Sequence, residues 1–139
     1  MVTTTGDVYE GKWERGAKHG EGVLTYHNGD VYNGTWKENK HEGFGILTYS
    51  NGVTYTGHWE NGRFHYYGVL SCSKTSIKYE GEWVNGFKEG KGKMIYPDTS
   101  FYEGFWKNGL VRISSSPLPL SSLLSFLLSL FDSTPLPCC

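Results

Sequence analysis

The sequence has few cysteines, no excess of charge and no apolar run at its start. Its three cysteines are odd in number and lack metal-ligand spacing, which is typical of a reducing, cytoplasmic compartment. The formal net charge of −1 argues against nucleic-acid binding, which needs a basic surface. Residues 1–5 contain no hydrophobic signal region, and residue 2 is not glycine. We therefore expect neither secretion nor N-terminal myristoylation.

The sequence also lacks a catalytic constellation. Its carboxylates alternate with lysines at positions that favour surface pairing between strands over acid–base chemistry. The carboxylates considered are Glu10, Glu14, Glu21, Glu60, Glu80 and Glu82. We predict that the protein is not an enzyme and uses no cofactor.

One phrase, Tyr-x-Gly-x-Trp, is repeated along the chain. It begins at Tyr9, Tyr32, Tyr55, Tyr79 and Tyr102, and all five tryptophans of the protein occupy its last position. A Gly-x-Gly pair, an aromatic residue and a turn sequence such as Asn28-Gly29 follow in the first two units. A fixed period of this length indicates an array in which each unit packs on its neighbours.

Each repeat reads as a β-hairpin. Side chains alternate between faces along a strand, so Tyr9, Gly11 and Trp13 share one face. Asn28-Gly29 favours a hairpin turn because both residues tolerate a positive φ. The sequence therefore predicts an all-β fold, an elongated, twisted antiparallel sheet of about nine strands.

The third repeat departs from the pattern. Tyr66 replaces the first glycine of the Gly-x-Gly pair, and Cys72 replaces the strand aromatic as a small buried residue. The segment 74–76 replaces the Asn-Gly turn with one extra residue. These changes predict a bulge or a longer loop between residues 66 and 78.

The repeated phrase resembles the MORN repeat family over residues 7–110. The resulting division is a lead-in at 1–6, a repeat domain at 7–110 and a Ser/Leu/Pro-rich tail at 111–139. Within the tail, residues 120–131 carry a helical apolar stripe. Two interpretations of the tail stay open: a helix that caps the end of the sheet, and an unstructured segment.

His19 and His65 occupy equivalent positions in the first and third repeats, which raises the question of a shared metal ion. Four strand spacings place them roughly 19 Å apart, whereas zinc needs each ligand at about 2 Å. We therefore predict hairpin-loop histidines and no metal site.

The resemblance implies a protein-interaction scaffold in a cytoskeletal, ciliary or flagellar assembly of the cytoplasm. We expect a trough of exposed rings to hold a helix or peptide of a partner protein. The predicted partner-binding face consists of Tyr9, Trp13, Tyr26, Tyr32, Trp36, Tyr49, Tyr55, Trp59, Tyr79, Trp83, Tyr96, Tyr102 and Trp106. The sequence does not indicate an oligomeric state.

The alternative function is a peripheral membrane anchor that binds acidic phospholipids. Lys88, Lys91 and Lys93 form the main basic cluster and are the predicted lipid contacts.

Overall fold

The structure, a computed structural model, describes residues 1–112 as one open antiparallel sheet. Ten strands follow each other in chain order, each hydrogen-bonded to the next. They are β1 (Val8–Glu14), β2 (Ala17–Thr25), β3 (Val31–Lys37), β4 (Lys40–Thr48), β5 (Val53–Glu60), β6 (Arg63–Cys72), β7 (Lys78–Val84), β8 (Phe87–Ile95), β9 (Phe101–Lys107) and β10 (Leu110–Arg112). No helix in this part of the chain is long and apolar enough to cross a membrane.

The predicted fold class, an all-β array of repeated hairpins, is confirmed. The predicted strand number was too low by one, because the last repeat also forms a hairpin. Asn108 and Gly109 take φ values of 51° and 79° and reverse the chain, so that β10 pairs with β9. The predicted helix at 120–131 and its capping role lie outside the described residues.

Two kinds of turn join the strands. Inside a repeat, two left-handed residues close the hairpin, as Asn85 (φ 50°) and Gly86 (φ 88°) do between β7 and β8. Between repeats, the turn predicted at Asn28-Gly29 is confirmed, but only Gly29 has a positive φ. Asn28 instead accepts a hydrogen bond from the Asp30 backbone N–H through its side-chain oxygen, at 3.0 Å. The asparagine therefore acts through its side chain, as in an Asx turn.

Every full repeat contains a bulge. In the first hairpin Gly11 pairs with Gly22, and Trp13 then pairs with Lys18, so β2 carries extra residues opposite Lys12. Gly20, at the bulge, has a φ of 68°. The equivalent residue of the third repeat is Tyr66, which adopts the same left-handed conformation at 56° despite its side chain.

The longer loop predicted in the third repeat is also present. The Cys72 N–H donates to the carbonyl of Ile77 at 2.9 Å, whereas the equivalent turn of the first repeat closes from Tyr26 to Asp30. The turn absorbs the extra residue, and the pairing of β6 with β7 is kept.

The core lies on one side of the sheet, which we call the ring face. Its buried side chains are mostly the repeated tyrosines and tryptophans, with aliphatic residues and Cys72 between them. They are Tyr9, Leu24, Tyr32, Trp36, Leu47, Val53, Tyr55, Trp59, Leu70, Cys72, Tyr79, Trp83, Met94 and Trp106. A single sheet has no second layer, so these residues pack mainly on each other and on the backbone.

Candidate functional site

The first tyrosine of each of the first four repeats lies flat over a pair of glycines. A Cβ added to Gly45 would stand 2.4 Å from the Tyr32 hydroxyl, so the ring occupies the space that a side chain would fill. The hydroxyl then donates to the carbonyl of Thr35 at 3.0 Å. Tyr9, Tyr55 and Tyr79 make the equivalent bond. Glycine is needed here for close approach of a ring.

The tryptophans stand edge-on to these tyrosines. Trp59 meets Tyr32 and Tyr55 at ring-centre distances of 5.2 Å, with the ring planes close to perpendicular. Its indole N–H donates to the carbonyl of Gly45, one repeat earlier, at 3.3 Å. Each buried tryptophan repeats this bond and so connects consecutive repeats.

These contacts correct the predicted trough of exposed rings. Eight of the thirteen residues assigned to the partner-binding face are buried, at 0–5% exposure: Tyr9, Tyr32, Trp36, Tyr55, Trp59, Tyr79, Trp83 and Trp106. The sheet has to build its core from them, because it has no other apolar layer. Tyr26, Tyr49, Tyr96 and Tyr102 are half-buried, and only Trp13, on the first strand, is exposed.

The residues that cover the tyrosine rings were not predicted from the sequence. One side chain per repeat lies over the tyrosine and beside the next tryptophan, and we call these four the slot residues: Lys18, His41, Phe64 and Lys88. The His41 ring stacks on Tyr32 with a centre distance of 3.7 Å, and Phe64 stacks on Tyr55 at the same distance. All four are half-buried. Each follows its tryptophan by five residues, but the position holds lysine, histidine or phenylalanine, so no repeated residue type marks it in the sequence.

The next repeat holds each slot residue in place through its backbone. The carbonyl of Lys18 accepts a hydrogen bond from the Asn39 N–H at 3.1 Å, and Gly62 bonds the carbonyl of His41 at 3.0 Å. Gly86 and Gly109 do the same for Phe64 and Lys88. The slots are therefore fixed in a regular row, while the side chain that occupies them varies between lysine, histidine and phenylalanine.

Burial lowers the pKa of two slot residues. It lowers the pKa of His41 to about 4, with a smaller contribution from the charge of Lys18. Burial likewise lowers the pKa of Lys88 to about 8. Beside the slots, Tyr26 contacts the His41 ring nitrogen Nε2 through its hydroxyl at 3.1 Å, and burial raises the pKa of Tyr26 to about 12. A neutral imidazole therefore occupies the second slot at physiological pH.

The structure separates the three lysines predicted to bind lipid. The Lys88 ammonium lies on the ring face, 5.0 Å from the Tyr79 ring centre. Lys91 and Lys93 point to the opposite face, where Lys93 lies 4.0 Å from the Phe101 ring centre and 4.0 Å from a Glu103 oxygen. Alternation along β8 already implies this division, since 88 differs from 91 and 93 in parity.

The opposite face carries an open recess of about 500 Å³ over β6–β9. Its charged lining is mixed, with Lys91 and Lys93 beside Glu80 and Glu103. Tyr67 and Phe105 form its aromatic walls, and both are more than half exposed. The two lysines thus face carboxylates of their own surface.

The two histidines considered as metal ligands lie within strands, not in loops as predicted. The Nε2 of His19 lies 3.3 Å from Glu14, and that of His65 lies 3.2 Å from Glu60. Each therefore pairs with a carboxylate across its own hairpin. Residues 1–112 contain no cluster of three or more histidines, cysteines or carboxylates that could hold a metal ion.

Comparison with known proteins agrees with this architecture. The family model of the MORN repeat matches residues 9–31, 32–54, 55–76, 79–101 and 102–110. These segments begin at the five tyrosines of the repeated phrase and cover most of the chain. MORN repeats are a non-catalytic repeat type associated with protein or membrane interactions. A comparison with curated proteins gives no significant match.

Proposed function

The chain belongs to the MORN repeat family, and we propose that it is a non-catalytic scaffold whose ring face holds an apolar helix or peptide of a partner protein. The observation that carries this proposal is the row of slot residues. Four side chains lie in register on the buried rings and are half-exposed. We further propose a cytoplasmic, cytoskeletal or ciliary assembly as the setting.

The docking surface consists of the slot residues and the half-buried tyrosines beside them. Tyr26, Tyr49 and Tyr96 pack against the core, together with Phe64. Their burial is incomplete, so apolar area remains that a partner can cover. Each buried tyrosine and tryptophan ring below donates a side-chain hydrogen bond to a backbone carbonyl. A surface that is preorganised in this way loses little conformational entropy on binding.

The test is a comparison of two charge insertions that differ only in the face they alter. Phe64→Lys places a lysine in a slot that already holds lysine in the first and fourth repeats, so the fold should tolerate it. Thr48→Lys places the same charge on the opposite face, at an exposed position of β4. Quantitative mass spectrometry of affinity-purified full chain would compare both with the unaltered protein.

We expect one partner set to be lost with Phe64→Lys and retained with Thr48→Lys. That partner would then be expressed and purified, and its binding should weaken at least tenfold for Phe64→Lys and stay unchanged for Thr48→Lys. Loss with Thr48→Lys alone, or equal loss with both variants, would place the binding surface elsewhere.

A second candidate function is weak attachment to acidic membrane surfaces. It is supported by the general association of the repeat type with membranes and by Lys91 and Lys93 on one face. At about 1 kcal/mol per basic residue, two lysines give little affinity. The neighbouring carboxylates reduce it further, so the protein-binding proposal has more support.

A further inference from the structure

The four slots are of two chemical kinds. The outer two hold ammonium groups: Lys18 Nζ lies 5.5 Å from the Tyr9 ring centre, and Lys88 Nζ lies 5.0 Å from that of Tyr79. The inner two hold the flat rings of His41 and Phe64. The row therefore reads positive, neutral, neutral, positive along the array.

Within residues 1–112, neither outer ammonium has a carboxylate partner. Ion pairs are instead made by other lysines, among them Lys78, Lys93 and Lys107. The carboxylate next in sequence to Lys88, Glu89, is directed to the following hairpin, where it accepts from the Asn108 N–H at 2.9 Å and pairs with Lys107. The two slot lysines thus face aromatic rings and the space above them.

A half-buried ammonium without a counter-ion is a recognition group for an anion. The rings attract the cation but do not neutralise it. Burial already lowers the pKa of Lys88 to about 8, which shows the cost of its charge at this position. A carboxylate brought to the slot would offset that cost and gain a pair in a largely desolvated place.

The ring face favours a helical partner over an extended one. Both neighbours of every inner strand are already paired, so the face offers no free backbone edge to a partner strand. A segment that lies across it has to satisfy its own backbone hydrogen bonds, which an α-helix does.

The spacing of the slots sets the length of that helix. Lys18 is on β2 and Lys88 on β8, and six strand spacings correspond to about 29 Å. At 1.5 Å per residue and 3.6 residues per turn, about eighteen helical residues, or five full turns, span roughly 27 Å and return to the same face. Successive slots are about 10 Å apart, close to two helical turns, so one face of a helix can meet all four.

We propose that the ring face recognises an amphipathic helix with a carboxylate near each end, about eighteen residues apart on the same helix face, and apolar side chains between them. The carboxylates meet Lys18 and Lys88, and the apolar residues cover His41 and Phe64. This inference rests on the proposed function, because it assigns the chemistry of the partner to the same surface.

The probes are three synthetic helical peptides of about 23 residues with one apolar stripe at two-turn spacing. They differ only at two positions about eighteen residues apart, which is five full helical turns and keeps both positions on one face, and these positions hold Glu, Gln or Lys. Circular dichroism establishes equal helix content. Fluorescence anisotropy then measures the binding of each peptide to the full chain. We expect the Glu peptide to bind at least tenfold more tightly than the Gln peptide, and the Lys peptide to bind weakest.

Three protein variants complete the experiment. Lys18→Met and Lys88→Met remove the slot charges and keep most of the length of the unbranched side chain, and Lys91→Met removes a charge from the opposite face. The first two variants should each bind the Glu peptide several-fold more weakly and bind the Gln peptide with unchanged affinity. Lys91→Met should alter the binding of neither peptide. Thermal melts verify that all variants fold.

The outcomes separate the two proposals. Equal binding of the Glu and Gln peptides overturns the charge assignment and leaves the apolar docking surface in place. An effect of Lys91→Met as large as that of Lys88→Met also overturns it, since the attraction would then be unspecific. Binding of none of the peptides contradicts both the charge assignment and the helix-binding face.

Discussion

At the scale of single residues, the glycines in the strand centres are there because a tyrosine ring lies on each pair. A Cβ at Gly45 would overlap the Tyr32 side chain, because the hydroxyl oxygen and two ring carbons of Tyr32 would lie within 2.8 Å of it. The ring cannot lift without losing its contacts to Trp36 and Trp59. Packing and not backbone conformation therefore fixes glycine here.

We predict that Gly45→Ala lowers the free energy of unfolding by roughly 2–3 kcal/mol through overpacking. Gly62→Ala is the matched control, because its Cβ would meet nothing within 4 Å. That change should cost only about 1 kcal/mol, from the left-handed φ of 79°. Urea titration measures both. A larger loss for Gly62→Ala would mean that backbone strain outweighs the ring contact.

His41 makes the stability of the repeat array depend on pH. Its pKa is lowered from 6.5 to about 4 in the folded protein, so the folded state binds fewer protons than the unfolded chain between these values. The stability it contributes is complete above pH 6.5 and is lost as the pH falls towards 4.

We predict that His41→Phe, which copies the slot of the third repeat, removes this loss. Between pH 7 and 4.5 the free energy of unfolding of the unaltered protein should fall by about 1–2 kcal/mol more than that of the variant. Carboxylates titrate equally in both proteins, so the difference isolates the histidine. Parallel curves would show that His41 is protonated in the fold without cost.

At the scale of elements, each hairpin depends on its neighbours. The Trp59 ring contacts aromatic rings on three other strands, which are those of Tyr32, His41 and Phe64. Trp13, on the first strand, contacts only Tyr9 among the aromatic rings of residues 1–112 and is 44% exposed. A central repeat is therefore packed on both sides and a terminal one on a single side.

We predict that Trp59→Ala costs about 3–5 kcal/mol, as expected for a buried ring. Trp106→Ala, in the last hairpin, should cost less, and Trp13→Ala about 1 kcal/mol or less. Guanidinium titrations followed by circular dichroism would rank the three. Equal losses would contradict a nearest-neighbour array.

At the scale of the whole molecule, the sheet presents two unlike faces. The ring face carries the slot row, and the opposite face carries Lys91 and Lys93 among carboxylates. We therefore propose that protein binding and any lipid contact use different sides of the sheet.

We predict at most weak sedimentation of the full chain with phosphoinositide vesicles at low salt, and its loss at physiological salt. Changing Lys91 and Lys93 together to Glu should abolish it, whereas Lys88→Met should have no effect. Binding that resists salt, or that depends on Lys88, would contradict this assignment of faces.

The sequence by itself determined the period, the strands and most of the turns. Alternation and left-handed turn residues act over a few neighbours, so the Tyr-x-Gly-x-Trp phrase was enough to predict repeated hairpins. The short β10 was missed, because three residues after Asn108-Gly109 carry almost no pattern of their own.

Only the tertiary structure decided which rings are buried and what covers them. Alternation along the strand does not decide whether the Tyr32 ring points into solvent or lies flat on the sheet. The ring lies flat because Gly34 and Gly45 have no side chains that would occupy its place. The slot residues are defined by contacts between repeats, such as His41 between Trp36 and Trp59. Those contacts join residues on different strands, and a pattern read along one strand does not contain them.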